Sequence, residues 1–297
     1  MPELPEVQTI ISDLNKKIKG DIITGFWSDW ARTLKNISVK EFEKEIKGKK
    51  VIKAKRIGKN IFIDLSGGKT IYIHLKMTGH LLVKNHESRI MNHEREDYFG
   101  DRVNQYIHHT WSLKAKSQKS KAMAGKTLEF SDLRKFGKIV LADTNKINEI
   151  KEIKSLGADA MSKELNLEKF EEILEKKKNK KIRDILMDQD VISGIGNIYA
   201  SEILYEAGIL PARIASKISE KETKLLIDSI KKVLEKAIKL RGTSDSDYRD
   251  TSGAPGNFQK VLKVYQRAGK KCLKCGTIVK RLKMGQRSAF VCSKCQK

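Results

Sequence analysis

The sequence predicts an α+β protein built from more than one domain. Two observations set the class. Apolar residues recur at helical spacing over residues 3–18, at period two from about 22 to 142, and at helical spacing again after about 145. All four cysteines lie in the last 26 of the 297 residues. A chain of this length can bury more than one core. The expected division is an N-terminal helix and β-sandwich domain at 1–145, a helical domain at 146–259 and a metal-bound tail at 260–297.

Each element has a local reason. Val7, Ile10, Ile11, Leu14 and Ile18 share a helix face, and Gly20 is a fitting stop. Strands are expected at 22–28, 51–56, 61–65, 71–76, 80–84, 106–113, 127–131 and 138–142. The Ser66-Gly67-Gly68-Lys69 stretch marks a hairpin, and a short helix should interrupt the strands at 39–47. Many short strands with turn signals imply a β-sandwich or barrel. The stretch 85–126 reads largely as loops, with a basic extension at 114–126. Helices are expected at 165–177, 181–188, 196–207 and 220–240, the last opened by a Ser219/Glu222 capping box. Residues 241–259, rich in Gly, Ser, Thr and Asp, read as a mobile loop.

The formal net charge is +24, from 61 Lys+Arg against 37 Asp+Glu. Such a field attracts polyanions, nucleic acid first. No apolar run approaches the ~20 residues of a membrane span. No leader peptide is evident, so a cytoplasmic location is expected. Cys272-x2-Cys275 and Cys292-x2-Cys295, separated by 16 residues, have the spacing of a tetrahedral zinc site. Two disulfides are the alternative, disfavoured in a reducing compartment. The tail 260–297 carries twelve Lys+Arg and no Asp or Glu. A basic tail folded on a metal points to nucleic acid, and it could not hold a core without the ion. Tyr265, Val279, Phe290 and Val291 are expected in two strands around it.

Two short motifs carry chemistry. The chain begins Met1-Pro2-Glu3-Leu4-Pro5-Glu6. Removal of Met1 leaves a secondary amine whose pKa near ~8 keeps a useful neutral fraction, able to attack an electrophilic carbon and form an iminium. Glu3 and Glu6, three apart, share a helix face beside it. The plain alternative is a helix start with acids suited to its dipole. Gly194 and Gly196 open a helix at Asn197, as an anion-gripping turn does. A dinucleotide fingerprint is excluded there, since no strand precedes it and the third glycine is missing. A turn without ligand stays open.

Together, Pro2-Glu3-Leu4-Pro5-Glu6, the Gly-Ile-Gly-Asn-Ile-Tyr-Ala-Ser-Glu run at 194–202 and Gln286-Arg287 with Cys292-x2-Cys295-Gln296 resemble the formamidopyrimidine-DNA glycosylase family of bacterial type. The resemblance implies an N-terminal helix plus β-sandwich, a helix-two-turn-helix domain with a lesion-capping loop at 241–259, and a zinc finger. It implies a bifunctional glycosylase and abasic-site lyase that removes oxidised purines from double-stranded DNA. It further implies one structural zinc on Cys272, Cys275, Cys292 and Cys295, a monomer, and a place at the bacterial nucleoid. By position, Pro2 would attack C1′, Glu3 would supply a proton, Glu6 would support the site, and Lys59 would assist strand cleavage. Met77, Arg134 and Phe136 would fill the gap left by the flipped base, with core filling the alternative for Met77 and Phe136. Lys178, Arg183, Asn197 and His108 would contact DNA, and Arg287 would reach the phosphates at the lesion. Leu133 and Lys135 replace a Pro and an Arg common in the family. Two rivals remain: an endonuclease VIII-like enzyme for oxidised pyrimidines, against which Leu4 and the gap-filling set argue, and a zinc-finger DNA-binding protein without catalysis.

Overall fold

The computed structural model describes residues 1–85, 98–115, 125–245 and 247–297. The loops read at 85–126 fall largely on 86–97 and 116–124, outside the described residues, as does most of the basic extension. The chain divides into two compact units, Met1–Lys154 with Arg241–Asn257, and Ser155–Leu240 with Phe258–Lys297.

The first unit starts with helix α1 (Leu4–Lys17), opened by a reciprocal capping box between Glu3 and Glu6. Its strands are β1 (Ile22–Ser28), β2 (Leu34–Lys35), β3 (Val51–Ile57), β4 (Asn60–Leu65), β5 (Lys69–His74), β6 (His80–Asn85), β7 (Ile107–Lys114), β8 (Lys126–Ser131) and β9 (Lys138–Asp143), with helix α2 (Val39–Ile46) before β3. They form a four-stranded sheet ordered β1-β7-β8-β6 and a five-stranded sheet ordered β2-β9-β5-β4-β3. Val7, Ile10 and Leu14 of α1 join Ile61, Ile63, Ile71 and Ile73 of one sheet and Leu81, Trp111, Leu128 and Phe130 of the other in a single buried cluster. That is a sandwich core, and it settles the choice between sandwich and barrel. The pairing of β2 with β9 is parallel and only two residues long, too short to leave a periodic signal.

The segment 241–257, read from sequence as a loop of the helical domain, packs within the first unit. Arg241 is the reason. Its guanidinium bonds Asp13 of α1 at 2.5 and 3.3 Å and Asp250 at 2.7 and 2.9 Å. Burial opposes the Arg241 charge, but the bonds from Asp13 and Asp250 outweigh it and raise its pKa. Thr251 donates to Asp13, and the Val83 N–H donates to the Thr251 carbonyl. Composition suggested freedom of movement here, whereas the segment is anchored at several points.

The second unit holds α3 to α7 less the first: α4 (Leu167–Lys176), α5 (Ile182–Met187), α6 (Asn197–Glu206) and α7 (Glu220–Lys239), with α3 (Lys151–Lys154) closing the first unit. Two short strands, β10 (Ala158–Asp159) and β11 (Ile192–Ser193), pair in parallel; β11 stands directly before Gly194, where no strand was expected, so the dinucleotide fingerprint fails there on the missing third glycine alone. The Ser219/Glu222 capping box forms at the start of α7. The tail contributes β12 (Lys280–Met284) and β13 (Arg287–Val291), paired antiparallel. Phe290 and Val291 lie in β13, while Val279 stops just short of β12 and Tyr265 lies outside both strands. Among the described residues no helix is long and apolar enough to cross a membrane.

Two tests follow from this packing. Arg241→Ala leaves two buried carboxylates unpaired. It should cost about 2 kcal/mol in chemical denaturation, at the low end for such pairs because the guanidinium is partly screened by solvent. His109, fully buried and stacked between Phe26 and Phe130, has no partner for either ring nitrogen among the described residues. Burial, then the neighbouring His108, brings its pKa down to about 4. The folded value lies below the unfolded one, so this stability is present above pH ~6.5 and lost as pH falls through that value. Denaturation followed from pH ~6.5 to ~4 should show a loss of up to about 3 kcal/mol that His109→Phe removes.

Candidate active site and nucleic-acid interface

The N-terminal group is organised by Glu6. Pro2, Glu3 and Glu6 are all buried, and Met1 is exposed. One carboxylate oxygen of Glu6 accepts the Glu3 N–H at 2.7 Å, and the other accepts the Thr243 N–H at 2.7 Å. Gly242 makes the second bond possible. Its φ is +81°, and a Cβ there would lie 2.6 Å from a Glu6 oxygen and 2.8 Å from its Cγ. Only glycine fits so close to a fixed carboxylate. The Tyr248 hydroxyl reaches the Glu6 carbonyl at 3.5 Å. The Gly256 N–H donates to the Ser244 hydroxyl, which donates to the Tyr248 carbonyl. The loop is thereby built around the first turn of α1. Sequence reading named Glu6 and placed Gly242 and Thr243 in the expected lesion-capping loop, but not their contact with Glu6, because a contact 237 residues apart leaves no local pattern.

Lys59 is nearly buried in the turn joining β3 to β4. Its neighbour Asn60 pairs with His74 across the sheet. Burial, then Lys76 and Lys59, hold His74 down at about 4, so it is a neutral ring at physiological pH.

The three expected gap-fillers come together on two loops. Met77, Phe136 and the adjacent Leu133 are 43%, 53% and 42% exposed, which rules out core filling. The Arg134 guanidinium lies over the Phe136 ring at 4.8 Å. Asp132 ties the loops: one oxygen takes the Thr78 hydroxyl at 2.5 Å, and the other takes the Gly137 N–H at 2.8 Å. The Arg134 N–H donates to the Thr78 hydroxyl at 3.1 Å. Beneath them sits the Phe130 ring. A Cβ on Gly79 would come within 2.7 Å of it, and one on Gly137 within 2.5 Å. An exposed apolar cluster on a rigid base is a binding feature. His108 is mostly buried, with Nδ1 on Asp29 at 2.8 Å and no partner for Nε2 among the described residues.

In the second unit, Arg183 is 2% exposed and donates to the Asn197 side chain at 2.7 Å. Burial lowers its pKa, Asp184 raises it, and Arg287 is near enough to lower it further. Arg183 and Asn197 are thus joined directly, and Arg287 is close enough for its charge to be felt at Arg183. Gln189 braces the turn before Asn197, donating to the Ile195 carbonyl at 2.8 Å and accepting the Gly194 N–H at 3.0 Å. Lys178 stands on the surface, paired with Glu175 at 3.3 Å, and among the described residues no hydrogen bond or ion pair joins it to Arg183, Asn197 or Arg287.

The four cysteine sulfurs all lie within 4.8 Å of one another. Cys272–Cys295 is 3.9 Å and Cys275–Cys292 is 3.4 Å, so none is in a disulfide. A tetrahedral zinc with Zn–S near 2.3 Å needs sulfurs about 3.8 Å apart, and the donor set fits that ion. Glu202, unassigned from sequence, is 3% exposed and accepts the backbone N–H groups of Lys263, Val264 and Tyr265, each at 2.9 Å. It holds the chain where the tail begins.

Two outcomes are expected. Gly137→Ala should destabilise by about 1–3 kcal/mol through overpacking on Phe130, seen as a lower unfolding midpoint. Stripping the metal with a chelator should unfold the tail, because its own apolar cluster is only a few residues. Circular dichroism and limited proteolysis of the apo protein would show it.

Three family models match in chain order: the formamidopyrimidine-DNA glycosylase N-terminal domain over 1–139, the formamidopyrimidine-DNA glycosylase H2TH domain over 156–249, and a zinc finger found in FPG and IleRS over 269–297. The formamidopyrimidine-DNA glycosylase of Carboxydothermus hydrogenoformans is 36% identical over 297 residues, covering all of both chains. That of Ureaplasma parvum is 32% identical over 296 residues, again covering both. A complex of Lactococcus lactis Fpg with DNA containing an abasic site has a TM-score of 0.82 at 29% identity, covering 99% of each chain. A complex of the same protein with DNA containing an oxidised pyrimidine gives 0.82 at 29% identity over both whole chains. The motifs at both ends, the sandwich, the turn at Asn197 and the four-cysteine centre agree with this match, and the chain belongs to the formamidopyrimidine-DNA glycosylase family.

Proposed function

We propose that the chain removes oxidised purines, among them 8-oxoguanine and formamidopyrimidines, from double-stranded DNA, with the Pro2 amine as its nucleophile. It is a glycosylase of base excision repair with an abasic-site lyase activity. The residue assignment rests on Pro2 being buried two residues before α1, in a first turn that also holds the buried carboxylates of Glu3 and Glu6, the latter held by the Thr243 N–H.

Loss of Met1 frees the secondary amine. Its lone pair attacks C1′, and the damaged base leaves with the electrons of the glycosidic bond and takes up the proton that the amine gives off. Glu3 gives a proton to the ring oxygen as the C1′–O4′ bond opens, and an iminium joins Pro2 to C1′. The iminium makes the C2′ proton acidic. Its removal, assisted by Lys59, expels the 3′ phosphate, and a second elimination, with Arg287 at the phosphates, expels the 5′ phosphate. Water then hydrolyses the iminium, releasing the sugar fragment as an aldehyde and freeing the Pro2 amine. Glu6 positions rather than transfers protons, because each of its oxygens already accepts a backbone N–H.

A base must leave the stack to be reached. Met77, Phe136 and Arg134 fill the gap, with Arg134 bonding the orphaned cytosine. Wedges of this kind hold a duplex kinked. Arg183, Asn197, Lys178 and His108 take phosphates, and the loop at 241–257 covers the extruded base. The zinc is structural: it folds the hairpin that carries Arg287. The protein acts as a monomer in the cytoplasm, at the nucleoid.

Borohydride trapping tests this reading. Covalent complexes should form on duplexes containing 8-oxoguanine or an abasic site. Trapping on an oxidised-pyrimidine duplex alone would overturn the purine assignment, and trapping on none of the three would overturn the enzyme. Pro2→Gly should abolish excision while DNA binding persists. Glu3→Gln should slow excision by about 10²–10⁴-fold, the usual span for a lost acid–base group.

A further inference from the structure

We propose that Tyr205 is an outer-sphere partner of the zinc centre, its phenol donating a hydrogen bond to the Cys272 sulfur. The Tyr205 oxygen lies 3.2 Å from Cys272 Sγ. Geometry alone lets either atom donate. Ligation removes the ambiguity, since a zinc-bound cysteine is a thiolate and can only accept. A phenol is protonated at neutral pH and free to donate. The contact is enclosed: Tyr205 packs with Val264, Cys272, Val279, Phe290 and Cys292 in one buried cluster. Water does not compete well there, so the bond is stronger than at a surface.

The position of Tyr205 on α6 gives this bond a wider effect. Glu202, one turn earlier on the same face, holds the backbone of residues 263–265. Just beyond the helix, the Gly208 carbonyl accepts the Lys297 N–H and the Leu210 N–H donates to the Lys297 carbonyl. Gln296 bridges the Ile209 carbonyl and the Cys292 N–H. The second cysteine pair is thus seated on the chain after α6, and the first pair is held by Tyr205. Asn197 opens the same helix. Tyr205 makes the metal centre part of the helix that presents Asn197.

The test is Tyr205→Phe, which keeps the ring and removes the donor. Zinc competition with a colorimetric chelator, read without DNA, should show retention weakened on the order of tenfold, the lower end for lost outer-sphere partners. In the cobalt(II)-substituted proteins the thiolate-to-metal absorption should move to longer wavelength in the variant, because the sulfur lone pairs lose a stabilising donor. That band comes only from folded, metal-bound protein, so it remains decisive if the variant accumulates poorly. Equal zinc retention overturns the proposal. So does weaker retention with an unchanged cobalt band, which would assign the hydroxyl to packing alone. The readout is the metal, so the outcome is independent of the chemistry at Pro2.

Discussion

The carboxylate of Glu6 is the constraint on which the first unit depends. Its two oxygens are claimed from opposite directions, by the start of its own helix and by a loop more than 200 residues later. A buried carboxylate with such bonds is worth keeping, and one without them is costly. The loop therefore cannot leave without exposing Glu6 to that cost, and Arg241 adds a second anchor on the same helix through Asp13. The first turn of α1 and the segment 241–257 are one assembly. The rest of the first unit and residues 155–240 of the second separate them in sequence.

Much of the architecture was legible because it is local. The eight strands read from period two all form, with boundaries moved by a few residues. The capping box at Ser219 and the cysteine spacing carry their own geometry. What escaped notice depends on distance. Nothing in the composition of 241–257 says that Gly242 must lie against Glu6, or that Arg241 pairs two aspartates. The same residues that look mobile in a sequence become fixed when their polar groups find buried partners. Glu202 was similar: it was quoted within a motif, but its three backbone ligands lie about sixty residues ahead.

The site residues divide by how they were found. Pro2, Glu3 and the cysteines have a chemical signature of their own. Met77, Arg134, Phe136, Lys59 and Arg287 are ordinary residues in sequence and were reached only through the family resemblance. The structure adds a physical reason for three of them, since exposed Met77 and Phe136 and a cation stacked on a ring are not how a core is built. The second unit follows the same logic, with Arg183 buried yet turned to Asn197 and within electrostatic reach of Arg287.

Phe130 lies under the loops of Met77 and Phe136, and its ring occupies the space that a side chain at Gly79 or Gly137 would need. Gly79, some fifty residues before Phe130, and Gly137, seven after it, therefore share the space beside one ring. A methyl group at Gly137 needs the ring to shrink or turn, and one at Gly79 needs the Leu75 carbonyl, 2.5 Å from that Cβ, to give way as well. Substitution effects at the three sites should not add, and a lineage that changes one is expected to carry the compensating change at another.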